Sequence, residues 1–328
     1  MGSLKGLAML AACALLAGAG AEALAAQPWG PGYFPDVPLV TQDGRTVHLY
    51  QDLLKGKRVA INMIFTSCPD SCPLSTANLA RVRSQLGDQA ANIHFYSITV
   101  DPEHDTPEVL KAYAEKFHAG PDWLFLTGKA DDIRLAQQKL GLWSSTDAED
   151  PDHHLTSLMV GNEPAGQWMR QSTLDNPRFL AAKLSTFLLG WQNQRGVASQ
   201  SYSAAPPIAD TDAGRLLFRR TCAACHTIGQ GAALAPDLQG VTTRRDKDWL
   251  RRFIKAPDQM LEQKDPLALE LFARYNQVRM PNLRLGDDDV EALIHYLEIQ
   301  GATAQGQADS RPPLPPANGH AKGSQQLQ

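Results

Sequence analysis

The amino-acid sequence predicts an α/β domain followed by an all-α domain. Three observations lead to this. Between Val59 and Val160, apolar runs of strand length alternate with segments whose apolar residues recur at helical spacing. From Gln192 to Asp210 the periodicity vanishes into a stretch rich in Ser, Ala, Gln and Pro, "QNQRGVASQSYSAAPPIAD". Beyond Thr211 helical patterning returns without a convincing strand. At 328 residues with 43% hydrophobic content the chain is long enough for two cores, and a formal charge of -4 offers no basic surface for nucleic acid.

Residues 1–26 read as an export signal. Lys5 is followed by the apolar run Gly6 to Gly20 and by "AEALAA", which offers small-residue cleavage positions near Ala25 and Ala26. Export implies a periplasmic location. Two competing readings are a lipid-attachment site at "LAAC" (Leu10 to Cys13) and an uncleaved anchor; Glu22 ends the apolar run short of the ~20 residues a span requires.

The first domain covers residues 27–191. Its strands are expected at "VAINMIF" (Val59 to Phe65), "IHFYSITV" (Ile93 to Val100), "WLFLTG" (Trp123 to Gly128) and "LTSLMV" (Leu155 to Val160). Leu79, Val82 and Leu86 mark a helix after the first strand. Thr106 with Pro107 opens a second, running through Leu110, Tyr113 and Phe117, and Asn176 with Pro177 opens a third, carrying Phe179, Leu180, Leu184 and Phe187. Residues 192–210 form a linker in the flexible regime, with an r.m.s. span of roughly 22 Å. The second domain, residues 211–300, has helices in "AGRLLFRRTCAACH", "KDWLRRFI" and "GDDDVEALIHYLEIQ". Residues 301–328 lack an apolar face and read as a disordered tail.

Of the five cysteines, Cys13 belongs to the signal, leaving Cys68, Cys72, Cys222 and Cys225. Two structural disulfides are the default for an exported protein, but each pair is too local to close a useful loop. Local pairs point to chemistry. "CAACH", Cys222 to His226, has the spacing in which two thiols attach to a haem while the adjacent histidine ligates its iron. "VRMPN" offers Met280 as the sixth ligand; Met260 is the rival, better suited to packing.

On these residues the segment from Thr211 to Gln300 resembles the class I c-type cytochromes. Gly214 and Phe218 match the family's first helix, and Val290, Leu293, Ile294 and Leu297 match its C-terminal helix. The resemblance implies haem c, and it gives Pro236 in "APDL" the role of accepting a hydrogen bond from the ligand histidine.

"CPDSC" lies at a strand-to-helix junction, where Cys68 and Cys72 would face the same way beside a positive helix end that favours thiolate. Two thiols there can form a disulfide or hold a metal. "PDHHLTS" supplies His153 and His154, and soft sulfur with imidazole in a three-ligand site selects copper, with zinc the alternative.

With "TVDPEHDTPEVLKAYAEKF" (Thr99 to Phe117) and "WLFLTG", residues 35–191 resemble the Sco/SenC family of thioredoxin-like copper proteins. The resemblance implies copper ligation by Cys68, Cys72 and one histidine, places Asp101 near the site, and makes the copper-bearing subunit of cytochrome c oxidase the partner, with other copper chaperones or electron carriers possible besides. This sequence has two histidines where the family usually shows one; counting back from Gly161 favours His154, with His153 the alternative. The functional expectation is an exported metallochaperone with attached haem, redox-coupled to the copper site. A haem-linked thiol-disulfide oxidoreductase or thiol peroxidase, with Cys68 and Cys72 as cycling thiols, is the alternative, and a redox sensor is a third reading.

Overall fold

The structure, a computed structural model, describes residues 29–30, 32–68, 71–143, 156–190 and 213–309, with side chains to residue 302. The segments read as an export signal (1–26) and a linker (192–210), the end of the tail, His153 and His154 lie outside the described residues. Among those described, no helix is long and apolar enough to cross a membrane.

The first domain is built on seven strands, β1 (Pro38–Thr41), β2 (Thr46–His48), β3 (Arg58–Ile64), β4 (His94–Thr99), β5 (Trp123–Gly128), β6 (Ser157–Asn162) and β7 (Gln167–Ser172), in the order β2-β1-β5-β4-β3-β6-β7. The central β5, β4 and β3 are parallel, and the flanking pairs are antiparallel. Helices α1 (Ser71–Leu86), α2 (Pro107–Lys116) and α4 (Pro177–Leu189) contribute to the core on one face, while α3 (Ala130–Lys139) and the N-terminal segment cover the other. The result is the thioredoxin-like fold.

Side-chain alternation explains the two faces. Along β3, Ala60 and Ile64 join one core cluster while Val59, Ile61 and Met63 join the other, so the strand is buried on both sides and reads as a continuous apolar run. Asn62 is the polar exception. It is 2% exposed and satisfied across the sheet, accepting from the Ser97 hydroxyl at 2.7 Å, while Ser97 in turn accepts from Trp123 Nε1 at 3.0 Å.

Strands β1, β2 and β7 escape the sequence reading. The first two span only 4 and 3 residues, too few to show a period, and β7 ("QWMRQS") is a polar edge strand. β7 is held by a hairpin from β6, in which Trp168 crosses directly over Gly161; a Cβ at Gly161 would lie 2.2 Å from the indole.

The second domain contains α5 (Ala213–Arg220), α6 (Val241–Arg244), α7 (Lys247–Lys255), α8 (Pro257–Glu262), α9 (Pro266–Arg274) and α10 (Asp287–Asp309). The outer helices cross at Gly214, where an added Cβ would sit 2.0 Å from the Ala292 carbonyl oxygen. Phe218 packs on Tyr296 at 5.5 Å between ring centroids, and Val290, Leu293, Ile294 and Leu297 are all buried, as their helical spacing predicts. α8 and α9 were not expected, although Asp265 followed by Pro266 is a helix start: its carboxylate accepts from the Leu267 and Ala268 amides at 3.1 and 2.9 Å. The last helix also continues past Gly301, where the sequence reading begins a tail. Ala and Gln in "ATAQGQAD" are good helix formers, and extending an existing helix is far easier than starting one.

Candidate functional site: a buried dithiol and a haem cleft

β3 ends at Ile64, and the loop from Phe65 carries Cys68 back so that its amide donates to the Phe65 carbonyl at 3.3 Å. α1 then begins, with Cys72 in its first turn. No disulfide joins the two cysteines, which are 3% and 2% exposed, and the Cys72 amide donates to Cys68 Sγ at 3.4 Å. Thus the sulfurs do meet at the strand-to-helix junction.

Their electrostatics differ from the expectation that the helix end favours thiolate. Burial pushes the Cys72 thiol well above its ordinary range, and the neighbouring Cys68 and the Asp105 carboxylate push in the same direction. The helix terminus is a partial charge, whereas desolvation acts on the whole thiolate, so Cys72 rests as the protonated thiol without a metal.

The acidic residue beneath this loop is Asp105, not Asp101. Asp101 is paired with the exposed ring of His104 at 2.9 Å. Asp105 is 0% exposed and accepts from the Thr66 amide at 3.1 Å and from the hydroxyls of Thr66 and Thr99 at 2.5 Å each. Below Cys72, Thr76 donates to the Cys72 carbonyl at 2.9 Å and shares a 3.2 Å hydrogen bond with the buried Tyr113 hydroxyl. A signal for Asp105 existed in "DPEHDTP", but choosing between its two aspartates requires knowing which one the Thr106–Pro107 helix start turns inward.

Among the described residues no group of three or more His, Cys, Asp or Glu stands ready to hold a metal. His153 and His154 lie outside the described residues. The antiparallel register pairs Asn62 with Leu158, which brings the chain into β6 at the same sheet end as the cysteine loop. That entry is fastened to α1 through Thr173: its amide donates to the Thr156 carbonyl at 2.8 Å, its hydroxyl meets Ser75 Oγ at 2.8 Å, and its carbonyl accepts from Asn78 at 2.7 Å. The donor set at this place is soft and paired, which suits copper.

The second constellation is an apolar cleft lined by Cys222, Cys225, His226, Pro236 and Met280. His226 Nδ1 is 2.9 Å from the Pro236 carbonyl oxygen, which fixes the proton on Nδ1 and leaves Nε2 as the lone-pair donor. Burial lowers the pKa of this imidazole, against the opposing effect of the Pro236 hydrogen bond, so the ring is neutral and able to ligate. Burial also pushes both thiols up to about 12. Met260 is 4% exposed and lines a different hollow, beside Arg252 and Asn282. Its role is packing. Two adjacent thiols, a neutral imidazole and a thioether around one apolar cleft fit a covalently attached haem.

The loop behind His226 is held by Asp237, which accepts from the amides of Gly229 and Gln230 at 2.9 and 2.8 Å, Gly231 and Gln239 at 2.7 Å each, and the Thr227 hydroxyl at 3.0 Å. Burial alone would raise its pKa, but these donors outweigh burial and hold it at about 2. A depressed carboxylate stabilises the fold above its unfolded pKa, and that contribution disappears as pH falls from about 4 towards 2. Asp237→Asn should therefore lower the thermal midpoint at pH 7, and the gap from wild type should narrow steadily between pH 4 and pH 2.

Together these features define a thioredoxin-like dithiol domain joined to a c-type cytochrome domain. A family model described as SCO1/SenC matches residues 34–188, and one described as Cytochrome c matches residues 211–300. The SCO2-like protein of Rickettsia felis is 32% identical over 146 residues, covering 43% of this chain and 69% of that protein. The SCO1 protein homolog of Bacillus subtilis is 38% identical over 88 residues, covering 26% of this chain and 45% of that one. Among solved structures, copper-bound ScoI of Bradyrhizobium japonicum is 28% identical with a TM-score of 0.39, covering 46% of this chain and 96% of its own. The cytochrome c domain of the pp3183 protein from Pseudomonas putida is 48% identical with a TM-score of 0.28, covering 31% of this chain and 99% of its own. The chain belongs to the SCO1/SenC family and carries a cytochrome c domain behind the family domain.

Proposed function

We propose that the protein is an exported, periplasmic copper metallochaperone with a covalent haem, serving assembly of the copper centre of cytochrome c oxidase. The observation that carries this is the pair of buried, unbridged thiols of Cys68 and Cys72 at the head of α1, within reach of one ion. The raised proton affinity of Cys72 gives the site a loading rule: a soft cation must displace its proton, and hard cations do not bind thiolate strongly enough to do so. The third donor is His154 or His153, delivered by the segment that enters β6. The oxidase's copper-bearing subunit is the recipient.

Cys222 and Cys225 would hold the haem by thioether bonds, His226 Nε2 and Met280 Sδ would donate to its iron, and Pro236 orients the histidine. When bound, the haem supplies a one-electron partner beside a site whose cargo changes valence by one electron. The residues around it exclude water: Phe253, Leu271 and Phe272 line the cleft.

The test is metal and haem analysis of the exported full-length chain. Under reducing conditions it should retain about one copper per chain on its dithiol and carry a haem that survives denaturation. Steady turnover of a thiol substrate by a chain that holds no copper would establish the oxidoreductase reading instead.

A further inference from the structure

α1 begins at the dithiol and runs along the cytochrome domain. Leu74, in the same first turn as Cys72 and 8% exposed, lines the haem cleft together with Cys222 and Cys225. Arg81 lies two turns further on the same helical stripe and donates to the Ala223 carbonyl, inside the CxxCH segment. Its guanidinium is half-buried there, and burial lowers its pKa despite the nearby Cys225. Between them, Ala77 and Ala80 line one hollow with Ala223 and Ala224. Ala224 is 6% exposed and belongs to the buried core of the α/β domain, with Cys225, Leu234, Val278 and Leu283 packed against it. On α2, Lys116 Nζ donates to the Gln277 carbonyl at 3.4 Å, at the head of the loop that bears Met280.

We propose that Leu74 is a haem-contacting residue supplied by the α/β domain, held in place by the Arg81–Ala223 hydrogen bond, so that the state of the Cys68–Cys72 pair is registered at the haem. This rests on the reading of CxxCH as a haem site. The first turn of α1 is bonded to the opposite sulfur through the Cys72 amide and Cys68 Sγ at 3.4 Å. Joining the sulfurs pulls the loop and that turn together, while Arg81 keeps the far end of the helix fixed on the cytochrome domain. Leu74 lies between the two points. A shift there changes the packing and solvent exposure of the haem edge, to which haem potentials respond. By linkage, haem oxidation state biases the thiol pair by the same factor.

The experiment uses the full haem-loaded, copper-free chain. Its haem midpoint potential is measured with the pair as dithiol and as disulfide, the latter made with oxidised glutathione, which takes up the two electrons and two protons of the thiols as it becomes two glutathione thiols. The two forms should differ enough to change the haem's oxidised-to-reduced ratio by about fivefold at fixed poise. Leu74→Ala and, separately, Arg81→Gln should abolish the difference while mass analysis still finds the haem attached. Arg81→Gln alters a surface-reaching side chain and keeps the test usable if Leu74→Ala does not fold. Equal potentials in the two wild-type forms would overturn the proposal, as would a difference that survives in the folded variants. A chain to which no haem attaches would overturn the underlying haem reading and the proposal with it, an outcome recognisable from mass alone.

Discussion

Cys68→Ser and Cys72→Ser should each reduce retained copper from about one per chain to background, because a hydroxyl is a hard donor that does not replace a thiolate toward a soft ion. The expected loss is nearly total, since one remaining thiolate and one imidazole leave a two-donor site without its selective pair. Both positions are buried, and the Cys72 amide donates to Cys68 Sγ, so serine must accept that hydrogen bond or leave it unmade at a cost of about 1–3 kcal/mol. Copper content is therefore read beside a thermal unfolding curve, and a folded serine variant that keeps its copper would remove these thiols from the site. His154→Ala and His153→Ala divide the remaining question. Loss of copper in the His154 variant alone bears out the favoured ligand, and loss in the His153 variant alone reverses it.

Met280→Ala should leave haem covalently attached and abolish its low-spin His/Met spectrum. On the proposed reading attachment would depend on Cys222 and Cys225 and the thioether would only donate to the iron, so the two properties separate cleanly. The substitution empties part of one wall of the cleft that Met280 shares with His226. Met280 is half-buried along this cleft, so its truncation costs less than the ~2–5 kcal/mol of a fully packed methionine, and water can enter in its place. The measurable results are loss of the sulfur-to-iron absorption feature and a lower midpoint potential. An unchanged spectrum would move the sixth ligand elsewhere; the buried position of Met260 in a separate hollow makes it a poor substitute.

Both domains were legible because their motifs are local. A CxxCH segment brings its three functional groups together within one turn of chain, and a CxxxC at a strand-to-helix junction does the same for two thiols. Strands buried on both faces, such as β3, announce themselves as apolar runs, and helices with Asp, Asn or Thr caps followed by proline announce their starts. β1, β2 and β7 were missed because edge strands are short or polar, and what stabilises them is the ladder to a neighbour rather than their own pattern.

By itself, the sequence determined the order of the domains, the identities of the paired thiols, the imidazole and the thioether, and the apolar stripes of the outer cytochrome helices. Only the tertiary structure decided which aspartate lies beneath the dithiol, because Asp101 and Asp105 are equivalent in composition and differ only in which one the loop turns inward. Only it put Met280 in the cleft with His226 and Met260 outside, since that depends on how chain far from CxxCH folds back. It also decided that burial, rather than the helix end, governs the protonation of Cys72, because desolvation is a property of everything packed around an atom. The contact of α1 with the CxxCH segment through Leu74 and Arg81 belongs to the same class. It joins residues more than a hundred positions apart, and no local period encodes the meeting of two surfaces.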